Sequence, residues 1–121
     1  MTKKKIIIAF SSVLLLVIAI FITLIFSFDH RVQNATEKSL NSELTNKDYS
    51  ALRKQSDNYS YNFLKRQKHI TVVFSADNQG SRNLAYYPVK INGKDGFGIT
   101  TSFKNIFIPN PKIQEIDHYK N

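Results

Sequence analysis

The sequence predicts an α+β fold: an N-terminal transmembrane helix followed by one or two amphipathic helices packed on a small antiparallel sheet of three to four strands. Three observations carry that expectation. The run Ile6 to Phe28 contains no charge, proline or glycine; Val32, Ala35, Leu40 and Leu44 recur at helical spacing; and apolar residues alternate through 69–76, 84–91 and 97–103.

As a helix rising 1.5 Å per residue, Ile6–Phe28 reaches roughly 35 Å, enough for a hydrocarbon core of about 30 Å. A lone segment in lipid must satisfy its backbone internally, which a helix does. Lys3, Lys4 and Lys5 precede the run. The positive-inside rule therefore expects 1–5 in the cytoplasm, 6–28 as a signal anchor in the cell membrane, and 29–121 as an extracytoplasmic domain. A cleaved secretory signal shares the basic start and the apolar stretch. Against it stand length, since signal h-regions run about 7–15 residues, and an exit Phe26-Ser27-Phe28-Asp29 without a small-x-small pattern. Ser11, Ser12 and Thr23 can bond back to the preceding turn without marking a helix interface.

The 93 residues from 29 to 121 suffice for one small domain. The chain has no cysteine, so packing alone must hold an exported domain that many small folds would staple with disulfides. Lysines outnumber arginines, and Asn and Ile are frequent, a composition that points to an AT-rich bacterial genome. Setting aside the three N-terminal lysines, 14 basic residues face 9 acidic ones, a surplus of five. Arg53, Lys54, Lys65, Arg66 and Lys68 concentrate it, with Asp57 as the acid among them. Such a cluster attracts anionic lipid or a wall polymer, or simply keeps the domain soluble; it carries no base-reading motif, so specific nucleic-acid binding is not expected.

In chain order, Arg31–Leu44 is expected to be helical and to continue from the span, because 26–34 holds no Pro or Gly. Asn46 or Asp48 would cap a second helix through Gln55, with Tyr49 and Leu52 facing the core and 56–58 ending it. Residues 59–68 fit two patterns: Tyr61 and Leu64 a helical face, Tyr59, Tyr61 and Phe63 a strand, and the strand is the reading adopted. In 69–76, Ile70, Val72, Phe74 and Ala76 share one face of a strand. Residues 77–83 form a loop, and 84–91 a second strand whose Pro88 implies an edge or a bulge. Asn92-Gly93-Lys94-Asp95-Gly96 is a hairpin turn leading to a strand from Phe97 to Phe103. Pro109-Asn110-Pro111 stops the following piece, and 112–119, anchored by Ile113 and Ile116, is a short strand or a helical turn whose end loosens over 118–121.

Catalytic constellations are not visible. His30, His69 and His118 are isolated, no carboxylates recur at a pairing distance, and Gly93, Gly96 and Gly98 sit between strands instead of before a helix, as a phosphate loop would require. Neither an enzyme nor a cofactor is expected. Tyr86 and Tyr87 are neighbours in a strand, so one must face away from the core unless both faces are covered, and an exposed tyrosine suits a protein, glycan or peptide partner.

Leu44-Thr45-Asn46-Lys47-Asp48-Tyr49-Ser50-Ala51-Leu52, followed by strands, is similar to the helix-turn-helix opening of cystatin-like and nuclear-transport-factor-two-like helix-plus-sheet domains. The resemblance is one of layout over 32–117. It implies a binding or assembly role, since those folds serve mostly as such modules. The expectation is a non-catalytic binding module of the bacterial envelope that contacts an envelope protein, with a membrane-anchored immunity or exclusion factor as the alternative and an envelope hydrolase as the remaining one.

Overall fold

The computed structural model describes residues 2–119; the loosening expected at the chain end falls partly on 120 and 121, outside that range. The apolar run forms helix α1 (Lys3–Phe26), opened by the Thr2 hydroxyl, which accepts from the Lys5 N–H. None of its residues is buried, and it is long and apolar enough to cross a membrane. The Ser12 and Thr23 hydroxyls donate to the Ile8 and Ala19 carbonyls, the back-bonding open to hydroxyls inside a helix.

Ser27 separates α1 from α2 (Phe28–Thr45) by one residue. Its N–H donates to the Thr23 carbonyl and its own carbonyl accepts from Arg31, so the helical bonding pattern enters and leaves the junction. Phe28, assigned to the span by its apolarity, instead opens α2 and is buried edge-on against Phe103, ring centroids 4.9 Å apart. Every fourth residue of α2 from there is buried: Phe28, Val32, Thr36 and Leu40. Thr36 takes the place expected for Ala35, and Leu44 packs at the margin.

Among the described residues three helices follow α1, not one or two. Asp48 caps α3 (Tyr49–Lys54) by accepting the Ala51 N–H; Leu52 is buried as expected, whereas Tyr49 points to solvent. Residues 59–68 are not a strand. Asp57 Oδ1 accepts the Ser60 N–H at 2.8 Å and starts helix α4 (Asn58–Leu64), which buries Ser60 and Leu64. The alternating aromatics are distributed around this helix: Tyr59 and Phe63, four apart, lean on Phe97, and Tyr61 lies away from them.

The sheet is a four-stranded antiparallel meander in sequential order, β1 (Val72–Phe74), β2 (Leu84–Ile91), β3 (Lys94–Ser102) and β4 (Lys112–His118). β1 is shorter than 69–76. Asn92 and Gly93, at φ 51° and 77°, make a two-residue turn whose twist matches the flanking strands, so Lys94 is already in β3. In β4 the register slips between Thr100 opposite Glu115 and Thr101 opposite Ile113, leaving Gln114 as an extra residue. That bulge explains how Ile113 and Ile116, three apart, both join the core. Ala85, Tyr87, Val89, Ile91, Phe97, Ile99 and Ile116 form its sheet side, against Val32, Leu40, Leu52 and Leu64.

Both edges of the sheet are covered. Gln33, Glu37 and Asn41 of α2 accept the N–H groups of Phe74, Val72 and Ile70 at 2.8, 2.8 and 2.7 Å, and Asn41 returns a bond to the Ile70 carbonyl. The spacing makes this fit, since four helical residues rise about 6 Å and two strand residues about 6.6 Å. On the far edge Ser56 bridges Ile116 in parallel, flanked by Asp57 N–H to the Ile116 carbonyl and Ile116 N–H to the Gln55 carbonyl. Pro88 sits on an interior strand. Its carbonyl accepts from Ser75 just past the end of β1, so the missing N–H falls where the ladder has stopped, and the expected bulge follows between Val89 and Ile91.

Candidate functional site

Helix α4 gathers part of the basic cluster. Arg53 and Lys65 lie over the Tyr61 ring, at 5.2 and 5.0 Å from its centroid, a geometry in which each cation is drawn to the ring face. Lys94, from the start of β3, lies 4.9 Å from the Tyr59 centroid and 5.2 Å from that of Phe63, and its ammonium is hydrogen-bonded to the Tyr59 hydroxyl. Arg66 is exposed on the same helix end, its Nε donating to the Asn62 carbonyl. Lys54 and Lys68 are exposed on the adjoining segments, outside the ring contacts. Arg53, Lys65 and Arg66 with Tyr61 make a cationic ridge on one side of α4, and Lys94 with Tyr59 and Phe63 makes a separate group on another. Sequence reasoning missed Tyr61 as a member of the ridge, because its i, i+4 pairing with Lys65 exists only if the segment is helical.

The structure separates the two tyrosines. Tyr87 is fully buried and cannot serve as a surface-binding residue: its ring stacks on Phe74 at 3.9 Å and its hydroxyl donates to Asp29 Oδ1 at 2.7 Å. Burial, reinforced by that carboxylate, pushes its phenol well above the ordinary value. Tyr86 lies on the other face of β2, over Gly98, where an added Cβ would collide with its hydroxyl and with Asp117 Oδ1. Burial raises the Tyr86 phenol, as do Asp117, Tyr119 and Glu115; burial and Glu115 raise the Asp117 carboxyl. Glu115, Asp117 and Tyr119 thus gather around Tyr86 on this outer sheet face, with Lys90 further along β2 on the same side.

Beside the end of α1, Phe26, Asp29, His30, Gln33 and the segment 74–77 line a cleft of about 410 Å³. Asp29 is engaged by Tyr87, and His30 Nε2 is 3.2 Å from Asn34 Nδ2. Among the described residues no group of three or more His, Cys, Asp or Glu side chains could hold a metal ion. His118 stacks on Tyr59 at 3.9 Å, far along the chain from His30 and His69. What the surface of α4 offers is contact: a cationic aromatic ridge suits polyanions.

Comparisons with family models, with curated proteins and with solved structures found no match.

Proposed function

We propose that this chain is a single-pass membrane-anchored module of the bacterial envelope, with residues 1–5 in the cytoplasm and the domain outside, that binds another envelope component without chemistry of its own. The observation that carries the reading is the passage from α1, unburied along its length, through Ser27 into a helix whose first residue is already core. Such a domain is held at the surface it emerges from, which suits a receptor for neighbouring polymers and proteins.

For the ligand of the α4 ridge we favour a wall polyanion over lipid headgroups. Ile70, two residues beyond Lys68, is bonded to Asn41, about 20 Å along α2 from Phe28 at 1.5 Å per residue. Attraction to a charged bilayer surface fades over about 10 Å at 0.1 M salt, and the length of α2 between Phe28 and Asn41 therefore supports the polymer over the headgroups.

Full-length chain in neutral lipid nanodiscs, mixed with poly(glycerol phosphate), tests this. The parent should bind at 50 mM salt and release as salt rises, and the Arg53→Glu, Lys65→Glu, Arg66→Glu variant should bind at least tenfold more weakly. Equal binding by both proteins would end the assignment of the ridge. Placement is tested in intact cells: Lys90→Cys should react with a membrane-impermeant maleimide and Thr2→Cys should not.

A further inference from the structure

Between β3 and β4 the chain presents Ile106, Phe107 and Ile108, three consecutive large apolar residues that are 37, 40 and 70% exposed. A soluble loop avoids such a run. This one does not point into open solvent, because the Phe107 ring meets the Phe21 ring of α1 edge-on at 5.3 Å. Phe21 lies five residues before the end of α1, about 7.5 Å below it along the axis.

Four backbone groups of the loop tip find side-chain partners within the chain. Arg31 donates from Nη1 to the Phe107 carbonyl and from Nη2 to the Ile106 carbonyl, each at 2.8 Å. The same guanidinium reaches Leu24, whose carbonyl it takes at 2.7 Å, and its Nε donates to Ser27 Oγ at 3.2 Å. Asn105 Oδ1 accepts the N–H groups of Phe107 and Ile108 at 3.0 and 2.7 Å, and the Lys104 N–H donates to the Pro109 carbonyl at 2.8 Å, closing the loop. In water these groups would need no such attention. In hydrocarbon an unpaired one would be strongly disfavoured.

We infer that the β3–β4 loop is a second membrane-contacting element, whose Ile106, Phe107 and Ile108 enter the domain-side leaflet beside α1 while Arg31 holds the loop carbonyls at the interface. The inference rests on the membrane reading above and extends it, since a span alone leaves the domain free to rotate about its axis. The depth suits the occupant: interfacial elements bury their apolar faces about 5–10 Å into the headgroup and acyl boundary. Lys104 and Lys112, exposed on either side of the loop, sit where headgroup phosphates would be. A protein partner seated on Ile106–Ile108 is the competing occupant, and it would have to displace lipid from beside Phe21.

Because the chain has no cysteine, single substitutions give unique labelling sites. Full-length Ile108→Cys, Val13→Cys and Lys90→Cys, each carrying an environment-sensitive fluorophore, are reconstituted in phosphatidylcholine vesicles without other protein. The label at 108 should be quenched by lipid bearing a nitroxide near the top of the acyl chain, and several-fold less by aqueous iodide than the label at 90. The label at 13 should be shielded from iodide and report a deeper nitroxide. Iodide access at 108 equal to that at 90, with 13 shielded, would overturn the loop insertion and leave the span intact. Iodide access at 13 would overturn both. Arg31→Gln, which shortens the clamp, should raise iodide access at 108 while leaving that at 13 unchanged.

Discussion

Glu37 Oε1 accepts the Val72 backbone N–H at 2.8 Å, the middle rung of the three by which α2 closes the edge of the sheet. Glu37→Ala leaves that strand N–H without its charged acceptor, at an expected cost of about 1.5–3 kcal/mol. Glu37→Gln keeps an acceptor and should cost less. A bare edge also templates pairing with a second chain, so the alanine variant should associate with rising concentration in light scattering. A Glu37→Ala protein that melts like the parent and stays monodisperse would remove the ladder from the stability account.

The buried bond from Tyr87 to Asp29 joins the middle of β2 to the first turn of α2. Tyr87→Phe should lower stability at neutral pH by about 1.5–3 kcal/mol, the usual worth of a hydrogen bond to a charged group. The folded phenol sits above its ordinary value, mainly through burial and then through Asp29. Its contribution is therefore complete below about pH 10, the ordinary tyrosine value, and is lost as pH rises above it. Denaturation followed from pH 8 to pH 11 should show a steeper decline for the parent than for Tyr87→Phe. Parallel curves would show that Tyr87 does not set the alkaline limit.

Asp57 binds on both sides, Oδ1 to the Ser60 N–H and Oδ2 to the His118 N–H, each at 2.8 Å. Partial burial alone would raise its carboxyl; the Ser60 and His118 hydrogen bonds, with the nearby His118 charge, bring it below the ordinary value. That contribution is present above the ordinary carboxylate value near pH 4 and is lost as pH falls toward the lower folded value. Asp57→Ala should cost about 1–3 kcal/mol at pH 7 in urea melts, for the lost cap and the lost strand bond together. The gap from the parent should shrink by pH 3. Glu43, raised chiefly by burial, is common to both proteins and cancels in this comparison, whereas Asp117, raised by burial, Glu115 and also Asp57, moves back toward its ordinary value in the variant and narrows the gap at pH 7. A gap that is the same at both pH values would remove the ionised form from the argument.

Strand β2 and the Asn92-Gly93 turn were legible residue by residue, since alternation and positive φ are local properties. Helix α4 was misread because Tyr59, Tyr61 and Phe63 alternate in sequence, and Asp57 was taken as the end of one helix when its carboxylate starts the next. The shortness of β1 was hidden for a different reason: Ile70 is extended in pattern, yet its N–H and carbonyl are taken by Asn41, and that exchange depends on tertiary placement. Of the candidate site, exposure of the basic residues followed from charge, and the need for Tyr86 and Tyr87 to part followed from the pleat. The same alternation turns Tyr87 inward with Ala85, Val89 and Ile91, whereas the partner of its hydroxyl, Asp29, lies fifty-eight positions away and left no local pattern. The Arg31 clamp left no pattern at all, because its acceptors are backbone carbonyls.

The far edge of the sheet bears on the order in which this fold completes itself. Gln55, Ser56 and Asp57 are made early and have their partners in Ile116 and His118, which are made more than fifty residues later. Until then the outer side of β3 has no neighbour, and the α3–α4 junction holds a cap with one oxygen unclaimed. A growing chain can assemble the hairpin and its helices, but it remains unsealed. Residues 112–118 bring Ile113 and Ile116, the bulge and the partners of the α3–α4 junction together, so the core and the far edge should close in the same late stage of folding.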